Sequence, residues 1–593
     1  MNGTPFTPSA IRSTLTSAVA LLAPVGVLAL ILSAPRLVQG SGITASLIPP
    51  GVGIVILLLV LAAMRAGASR RVALAATAFA VGYLIGFAVT EAAIQYIYAR
   101  PFTPRADIPM IRSLIQLTMG PIGRGADFLV LLVTVVLAAA LWVAGALWVW
   151  FVRWVARRAP APTGGLAVIT GVVLLTALVS ALVPGDGPRS APISRRAVTA
   201  WFDDGKLRPQ EVVGVDRNPS ADALAADTPS ADAASADGPA AAGDASDSSP
   251  EPQYTFPGIR DRDIYFFAIE AYGYATVSQP EIFQALRADR ERLQEVLAAK
   301  DYEVVTSYLR SPVAGGFSWL AEATFLTGQW ITSQTAFEGL YDAELPSLTS
   351  FLYDGGYHTF SVRPGTVHGS WPEGWDLFRF EESLIAHDGD FDYAGPWFSY
   401  VAITDQYALW QAHRYLSGAI SREGVAADRP IAAYYQLVSS HTPFNRIPPI
   451  IEEWEALGDG AVYEERWDEV LTFDNSWSGG TELIEGYSAA ISYTLRSITK
   501  YIDEQLHHRR DPIIIIFGDH QAQRPIREPD AHLSVPIHVA TRDPDVAERF
   551  RARGFQSGMV SDEDPPHRDM SDFFPLFTEI ATDTAPAGQS SVR

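Results

Sequence analysis

Four apolar runs in the second half of the chain end on residues that can bind a metal ion or carry a proton. The run "DIYFFAIE" ends on Glu270, "AAYYQLVSSH" on His441, "DPIIIIFGDH" on Asp519 and His520, and "YHTFSVRPGTVH" on His368. In open α/β sheets the active site lies outside the carboxyl ends of the parallel strands. We therefore expect these side chains to share one site, whose carboxylate and imidazole groups suit a divalent metal ion.

The segment "SPVAGGFSWLAEATFLTG" supplies a candidate nucleophile, because it has the pattern of a Gly-rich turn that leads into a helix. Ser318 would lie near the helix N-terminus, where backbone N–H groups favour an anion such as phosphate. A metal ion beside the hydroxyl would lower its pKa and activate it for attack. The alternative for Ser318 is a plain helix N-cap, and Thr324 and Thr327, further along the helix, are weaker candidates.

The other candidates have structural alternatives as well. Glu270 could be a surface carboxylate or a helix cap, and the adjacent Asp519 and His520 could form an ordinary polar turn. His441 could be a hydrogen-bonded structural histidine, and His368 could be a plain loop histidine. Only their occurrence together at strand ends favours a site.

These residues need a scaffold of strands and helices, and the sequence from 254 onward indicates one. "DIYFFAIE", "PEIFQALRADRERLQEVLAAK" and "YEVVTSYL" alternate strand and helix patterns, which predicts an α/β fold with a mostly parallel sheet. Further predicted strands are "YHTFSVR", "AAYYQLVS", "PIIIIFGD" and "VPIHVAT". The pattern of "SAAISYTLRSITKYIDEQLHH" predicts an amphipathic helix before the "PIIIIFGDH" strand.

Composition narrows the class of protein. The net charge of −22 argues against a nucleic-acid partner, since phosphate binding needs clustered Lys and Arg. The absence of cysteine excludes disulfides, thiolate metal sites and cysteine nucleophiles. The chain divides into an apolar region at 1–186, a linker region at 187–253 and a soluble domain at 254–593.

The apolar region contains five stretches long enough to cross a bilayer, each with about 20 mostly apolar residues. The candidate spans are Leu15–Leu32, Leu47–Met64, Val72–Tyr98, Phe128–Val152 and Leu166–Pro184. A cleaved signal peptide is the alternative for the first. Glu91 is the one acidic residue well inside a span, so it is either functional or close to the interface.

Short-loop arginines give the orientation of these spans, because cytoplasmic loops are rich in Lys and Arg. Arg65, Arg70 and Arg71 follow the second span, and a second arginine group at 153–158 follows the fourth. Both loops are cytoplasmic if the N-terminus is inside, which places the C-terminal domain outside. The arginines between 100 and 124 count against this orientation, but their loop is longer and such loops obey the rule less strictly.

The linker region contains a stretch that cannot form a packed core. No aromatic residue occurs between Asp203 and Gln253, and its central part is Ala, Asp, Ser and Pro. Such a segment buries too little apolar surface to offset the entropy of ordering. We interpret it as a disordered acidic tether, with a short interfacial helix at Ala191–Leu207 before it.

The order of motifs resembles the alkaline phosphatase/sulfatase superfamily: a strand ending in Glu, a Gly-rich Ser turn, a strand ending in His, and "GDH". Five spans followed by an external domain are similar to the lipoteichoic acid synthase type of phosphoglycerol transferase and to phosphoethanolamine transferases. "SWPEGW", "ITDQYAL" and "LVSSHTPF" also resemble membrane-bound bacterial sulfatase-domain proteins. The resemblance implies a multi-pass protein of the bacterial inner membrane with an extracytoplasmic, alkaline-phosphatase-like catalytic domain.

The resemblance also implies roles for individual residues. It assigns the metal ligands, which are Glu270, Ser318, Asp519 and His520, with Ser318 also the nucleophile. His441 corresponds to a histidine that contacts the substrate phosphate, and Glu322 to a glutamate four residues after the nucleophile. His368 and Trp375 correspond to residues of a head-group pocket. The basic residue expected two positions after the Trp is Leu377 here, with Arg379 nearby, which disfavours glycerol phosphate as the specific head group.

The sequence favours phosphoryl over sulfuryl chemistry. A formylglycine sulfatase needs Cys or Ser in a Cys/Ser-x-Pro-x-Arg motif, and the chain has neither version. Glu270 is followed by Ala271, where two-metal members of the superfamily usually have paired Asp. We therefore expect one divalent ion, Mn²⁺ or Zn²⁺.

These observations predict a membrane-bound, metal-dependent phosphotransferase that acts on a lipid head group or envelope glycan through a phosphoserine intermediate. One alternative is a phosphatase or sulfatase-like hydrolase of a soluble or lipid ester. The other is a catalytically inactive envelope scaffold or sensor.

Overall fold

The computed structural model describes residues 254–584, except 344, 367–373, 375–376, 401, 419–428, 477–478, 507–510, 528–531 and 561–564, with a few separate residues between 83 and 150. The first, second and fifth predicted spans and the tether lie outside the described residues, as does most of the third and fourth spans. Among the described residues, no helix combines the length and apolar character needed to cross a membrane.

The chain divides into two compact units. The first comprises Met1–Lys206, Thr332–Ala336 and Gln523–Asp530, and the second comprises the rest. In the first unit, Glu91 is buried and its carboxylate accepts a hydrogen bond from the backbone N–H of Phe102 at 2.8 Å. Whether Glu91 has a function stays open. The sheet and the candidate site belong to the second unit.

Within the described part of the second unit, nine strands form the central sheet in the order β12-β2-β11-β10-β1-β5-β3-β4, with β13 also pairing with β2, where the labels refer to the ranges given below. Two short two-stranded sheets, β6-β7 and β8-β9, lie outside it. The strands are β1 Ile264–Ile269, β2 Glu303–Arg310, β3 His358–Arg363, β4 Glu382–Ile385, β5 Ile431–Leu437, β6 Arg446–Ile447, β7 Leu471–Thr472, β8 Asn475–Ser476, β9 Gly479–Gly480, β10 Ile513–Gly518, β11 Ser534–Thr541, β12 Gln556–Ser557 and β13 His567–Asp569.

The five neighbouring strands β10, β1, β5, β3 and β4 run parallel, which confirms the α/β prediction. Strands β1, β3 and β10 are buried along their whole length, and β1 and β10 are almost wholly apolar, as expected for parallel strands covered on both faces. Strand β11, predicted as "VPIHVAT", is antiparallel to both β10 and β2. The carboxyl ends of β1, β2, β5 and β10 therefore meet at one edge, which we call the carboxyl edge.

The described residues also form helices. They are α1 Ala275–Ser278, α2 Pro280–Ala285, α3 Arg287–Ala299, α4 Ser318–Thr327, α5 Gln334–Glu338, α6 Leu348–Asp354, α7 Asp405–Leu416, α8 Val462–Glu465, α9 Leu483–Glu504, α10 Pro544–Arg551 and α11 Phe573–Thr582, with 3-10 turns at Trp454–Leu457, Trp467–Glu469 and Met570–Asp572. The predicted helix at 280–300 is divided into α2 and α3 at Leu286, and the predicted long amphipathic helix is α9.

Aromatic side chains fix the helix that carries the candidate nucleophile. Phe325 of α4 stacks on Phe517 of β10 with ring centroids 4.1 Å apart, and on Phe573 of α11 at 4.6 Å. On the adjacent strand Phe267 packs against Tyr501 of α9 at 6.1 Å, while Phe266 packs against Phe325 at 6.2 Å. Successive residues of a strand face opposite sides of a sheet, so β1 anchors α4 on one face and α9 on the other.

A buried histidine in β11 makes the fold sensitive to acid. The hydroxyl of Thr306 donates to Gly558 O at 2.6 Å, so His538 Nδ1–H donates to Thr306 Oγ1 at 2.7 Å. The Tyr272 hydroxyl lies 3.2 Å from His538 Nε2 and donates to it. Burial, together with the charge of Arg290, lowers the pKa of His538 to about 3. The imidazole is therefore neutral in the folded protein and protonated in the unfolded chain between this pKa and its ordinary value.

We expect His538 alone to reduce the free energy of unfolding by about 2 kcal/mol between pH 7 and pH 5. The sign follows because the unfolded chain binds the extra proton in this range, so stability falls as the pH is lowered. Denaturant unfolding of the full chain and of His538→Gln at both pH values measures the effect. The variant should lose this part of the acid dependence, and identical pH profiles would contradict the prediction.

Candidate active site

Strand β1 delivers Glu270 to the carboxyl edge. The backbone N–H of Glu270 donates to Leu437 O at 2.9 Å, so the ladder with β5 continues through the residue and fixes its position. Ala271 then turns into the left-handed region with φ 58°, a conformation uncommon for a residue with a Cβ. This turn directs the Ala271 N–H to Asp519 Oδ1 at 2.8 Å. The ends of β1 and β10 are thus joined through one carboxylate oxygen.

Strand β10 delivers Asp519 and His520 beside Glu270. Gly518 is needed before them, because a Cβ at this position would lie 1.9 Å from Tyr272 O. Asp519 Oδ1 accepts a second backbone bond, from the His520 N–H at 2.6 Å, and Oδ2 is left to face the other site groups. Glu270, Asp519 and His520 are all buried, which is unusual for an ordinary polar turn, and their role as a site stays a prediction.

The turn before α4 places Ser318 against Glu270. Gly315, Gly316 and Phe317 all have positive φ, at 69°, 136° and 66°, and the first two are residues that adopt it without strain. The N-cap of α4 is Phe317, so the alternative that Ser318 is a plain N-cap is wrong. The hydroxyl of Ser318 instead donates to Glu270 Oε2 at 2.8 Å and lies 3.2 Å from His520 Nε2.

Glu270, Asp519 and His520 form a compact set in which one ligand atom from each lies within 4.8 Å of the others. His520 Nε2 is 3.2 Å from Glu270 Oε1 and 3.7 Å from Asp519 Oδ2. With Ser318, the centre therefore offers two carboxylates, one imidazole and one hydroxyl. The structure brings together all four residues that the sequence predicted as metal ligands.

The buried carboxylates of Glu270 and Asp519 are stabilised by a nearby positive charge. Burial acts to raise the pKa of Glu270, but the charges of His520 and His441, together with the hydrogen bonds from His520 and Ser318, lower it to about 2. Burial and the charge of Glu270 raise the pKa of Asp519 to about 7. Burial acts to lower the pKa of His520, but the two carboxylates raise it to about 9. Buried carboxylates need such compensation, which a proton or a metal ion can provide.

The donor groups fit a divalent cation. His520 Nδ1 lies 2.9 Å from Gln521 O, and because a carbonyl can only accept, Nδ1 carries a proton. A bound ion would take the place of the proton on Nε2, which is the ring nitrogen beside the two carboxylates. Asp519 offers Oδ2, and Glu270 and Ser318 offer oxygen atoms. Mixed nitrogen and oxygen ligands suit both Mn²⁺ and Zn²⁺, and the identity of the ion stays a prediction.

His441 follows β5 and lies at the same edge. Its Nδ1 lies 2.7 Å from Thr442 O, so Nδ1–H donates to that carbonyl, and Nε2 is the ring nitrogen on the opposite side from this bond. Burial lowers the pKa of His441, although the charge of Glu270 acts to raise it. The ring stacks on Tyr400 with centroids 3.7 Å apart and planes at 14°. His441 therefore lies next to the metal-ligand set with one ring face covered.

Three further residues were predicted to bind substrate, and the structure describes only one of them. His368 and Trp375 lie outside the described residues. Arg379 lies at the amino ends of β3 and β4, since its carbonyl accepts a hydrogen bond from Thr359 near the start of β3. Its guanidinium packs over the ring of Tyr353 at 4.4 Å. The structure thus does not bring Arg379 to the carboxyl edge, where its predicted substrate contact would be made.

Glu322 lies one turn after Ser318 on α4, where it has a buried partner. Both of its carboxylate oxygens accept hydrogen bonds from Arg363, at 2.8 and 2.5 Å, and Arg363 Nε donates to Ser361 at 2.7 Å. This bidentate pair ties the start of α4 to the end of β3. The substrate contact predicted for Glu322 stays a prediction.

We expect Glu322→Leu to lower the free energy of unfolding by about 3–5 kcal/mol, because it leaves the Arg363 guanidinium buried without its counter-charge. Denaturant titration of the full-length protein checks this. Glu291→Leu is the matched control, because the Glu291–Arg287 pair is well exposed to solvent and should contribute little. Equal losses in both variants would contradict a buried structural ion pair.

Three residues of the site were not predicted as such. Tyr400 stacks on His441, Asp405 binds the turn that carries His441, and Ser440 donates to Glu270 O at 2.6 Å. The segments "ITDQYAL" and "LVSSHTPF" contain Asp405 and Ser440, so the resemblance pointed to the right regions without assigning these roles. Tyr400 follows a Gly/Pro/Trp-rich stretch whose sequence gives no indication of contact with His441.

The fold and the site define an α/β protein in which two buried carboxylates, a buried imidazole and a half-buried hydroxyl meet at the carboxyl edge of the sheet. No protein-family model matches the chain, and no curated protein matches it. Among solved structures, the chain is similar to the lipoteichoic acid synthase LtaP from Listeria monocytogenes, with 14% identity and a TM-score of 0.32 over 56% of this chain and 75% of that one.

Two further solved structures are similar to the chain. One is the phosphoglycerol transferase GacH from Streptococcus pyogenes in complex with sn-glycerol-1-phosphate, at 10% identity and a TM-score of 0.34 over 58% of this chain and 83% of that one. The other is the lipooligosaccharide phosphoethanolamine transferase A from Neisseria meningitidis, at 11% identity and a TM-score of 0.40 over 96% and 95%.

Proposed function

We propose that this protein is a membrane-bound, metal-dependent phosphotransferase that acts on a lipid head group or envelope glycan through a phosphorylated Ser318. The observation that carries the proposal is the Ser318 hydroxyl, held 2.8 Å from Glu270 Oε2 and 3.2 Å from His520 Nε2 at the start of a helix. A serine in this position is a nucleophile with its activating groups already in place. The helix N-terminus beside it favours the negative charge of a phosphate.

Four residues would hold the ion: Glu270, Ser318, Asp519 and His520. A bound Mn²⁺ or Zn²⁺ would lower the pKa of the hydroxyl and offset the charge of the phosphate. The protein itself orients the hydroxyl, because the hydrogen bond with Glu270 and the packing of α4 fix the position of Oγ. Burial of Glu270 and His520 keeps water from competing for these groups.

The reaction proceeds in two displacements. Ser318 Oγ, whose proton has passed to solvent, attacks phosphorus; the Oγ–P bond forms, and the bond from phosphorus to the leaving oxygen breaks. His441 Nε2 gives a proton to that oxygen. In the second displacement, an acceptor hydroxyl gives its proton to His441 and attacks phosphorus, and the Oγ–P bond breaks. Each proton that His441 receives from an acceptor is therefore the one it gives to the next leaving group.

The choice of substrate rests on the sequence. Five predicted spans and the tether would hold the domain near the outer face of the bacterial inner membrane, where lipid head groups and envelope glycans are accessible. The motif resemblance to phosphoglycerol and phosphoethanolamine transferases supports a phosphodiester donor. The net charge of −22 disfavours nucleic acid as a substrate.

Peptide mass spectrometry of Ser318 tests the proposal. Full-length protein purified from its membrane is incubated with Mn²⁺ or Zn²⁺ and with vesicles of phosphatidylglycerol or phosphatidylethanolamine. We expect a phosphate-bearing adduct on Ser318, whose mass identifies the transferred head group, and none on the Ser347 peptide. An unmodified Ser318 with turnover of a soluble aryl phosphate would favour a hydrolase, and the absence of any turnover would favour an inactive scaffold.

A further inference from the structure

Another buried carboxylate, that of Asp405, binds the chain next to His441. Asp405 is the first residue of α7 and is fully buried. Its Oδ1 accepts the backbone N–H groups of Val438 and Ser439 at 2.8 and 3.0 Å, and its Oδ2 accepts the Thr494 hydroxyl at 2.6 Å. The Asp405 N–H in turn donates to Ser439 Oγ at 2.8 Å. A carboxylate is retained in a protein interior only where such bonds satisfy it.

The four residues from Val438 to His441 form what we call the His441 turn. The turn is closed by the His441 N–H, which donates to Val438 O at 3.1 Å. Within it, the Ser440 hydroxyl donates to the backbone carbonyl of Glu270 at 2.6 Å. The turn therefore carries the predicted acid–base residue, His441, and it also binds the backbone of a predicted metal ligand, Glu270. Two of its four backbone N–H groups are bound by Asp405.

A residue just before α7 makes a second contact, with the side chain of His441. Tyr400 stacks on the imidazole of His441 with the rings 3.7 Å apart and nearly parallel. Tyr400 lies five residues before Asp405 in the sequence. The segment from Tyr400 to Asp405 therefore contacts His441 twice. Tyr400 covers one face of the imidazole ring, and Asp405 binds the backbone of the His441 turn. These contacts restrict the direction of Nε2, which is the atom that gives and receives the proton in the proposed reaction.

We infer that Asp405 is a positioning residue for the proposed reaction, because it fixes the His441 turn and through it the direction of His441 Nε2. The inference rests on the proposed function for its catalytic consequence, but not for the restraint itself. A proton transfer requires the donor atom within hydrogen-bond reach of the reacting oxygen. A turn released from Asp405 would leave His441 present but misdirected, which lowers the rate without removing any group that touches substrate.

The chemistry of the three bonds gives a set of graded variants. Asp405→Asn keeps an oxygen for Val438 and Ser439, and its amide can donate to Thr494 Oγ1, whose hydroxyl can instead donate to Ala490 O. Thr494→Val removes one bond and leaves the two to the turn. Asp405→Ala removes all three. A positioning role predicts increasing effects in the order Asp405→Asn, Thr494→Val and Asp405→Ala.

The first measurement does not depend on any enzymatic activity. The rate of carbethoxylation of His441 by diethyl pyrocarbonate is followed by peptide mass spectrometry on the full-length protein. We expect a rise of about 10-fold or more in Asp405→Ala, a smaller rise in Thr494→Val, and a rate close to that of the unmodified sequence in Asp405→Asn. His441 rates that stay unchanged in Asp405→Ala and Thr494→Val would overturn the inference, whether or not the protein is a phosphotransferase.

The second measurement separates positioning from general damage to the fold. We compare the single-turnover rate of leaving-group release, which reports the first displacement alone, for two esters. One is a phospholipid, whose diacylglycerol leaving group needs a proton, and the other is the head-group ester of p-nitrophenol, whose leaving group does not. Asp405→Ala should lower the first by about 10²-fold and the second by only a few fold. His441→Gln should show the same selectivity, and the double variant should be no slower than His441→Gln alone. Equal losses on both esters, or additive losses in the double variant, would overturn the inference.

Discussion

Ser318→Ala is expected to lower the rate of phosphoryl transfer by about 10³-fold or more, the largest loss expected of any single replacement in this chain. The variant removes the only oxygen that can form the covalent intermediate at this position, and the neighbouring Thr324 cannot replace it. The Thr324 hydroxyl donates to Leu320 O at 2.8 Å inside α4 and is fully buried. Release of diacylglycerol from labelled phospholipid vesicles measures the rate.

Ser347→Ala is the matched control, since it makes the same change at the start of another helix. Ser347 is the N-cap of α6 and accepts the Ser350 N–H at 3.0 Å. Its replacement should cost about 1 kcal/mol of stability and leave the transfer rate unchanged. If Ser318→Ala kept most of the activity while folding normally, the two-displacement mechanism would be wrong, and direct attack by the acceptor would be the better account.

Glu270→Gln is expected to lower the metal affinity by at least about 10-fold, because loss even of a group that supports a ligand has effects of that size. The amide keeps the shape of the side chain but removes the charge that favours the cation. Metal content after dialysis, measured by plasma mass spectrometry, should fall from near one ion per chain towards none. Transfer should fall with it and return in part at high Mn²⁺ or Zn²⁺.

Asp263→Asn provides the control for this second prediction. Asp263 is also a buried carboxylate next to β1, but at the amino end of the strand, where Oδ1 accepts the Ile431 N–H at 2.8 Å. Its replacement should leave the metal content unchanged. Full metal content in Glu270→Gln, or equal losses in the two variants, would show that Glu270 is not a ligand.

The residues of the centre could be predicted because each follows a signal that is local in the sequence. Glu270, Asp519 and His520 end apolar runs, and Ser318 follows two glycines before a helical pattern. Parallel strands bring their carboxyl ends to one edge, so the end of a run is enough to place the residue. The order in which the strands pair does not affect this placement.

The features that could not be predicted depend on pairing and packing between distant segments. The run "VPIHVAT" predicts a strand correctly, but apolar periodicity carries no strand direction, and β11 is antiparallel to its neighbours. Arg363 ends β3 just as Glu270 ends β1, yet its guanidinium is bound by Glu322 inside the protein. The position of Arg379 depends on the path of the chain between β3 and β4. The stacking of Tyr400 on His441 depends on the tertiary packing of two loops.

The position of β1 in the sheet has a consequence for how the protein is made. Its two neighbours are β5 and β10, which pair with it in register from Ile264 and end at Leu437 and Gly518. During synthesis, β1 is therefore translated long before the two strands with which it pairs. Contacts between residues so far apart in the sequence form slowly. Until then the segment "IYFFAI" is an exposed apolar strand with unpaired edges. We expect a newly made chain to need a chaperone that binds this segment until the ribosome has released residue 518, the last residue of β10.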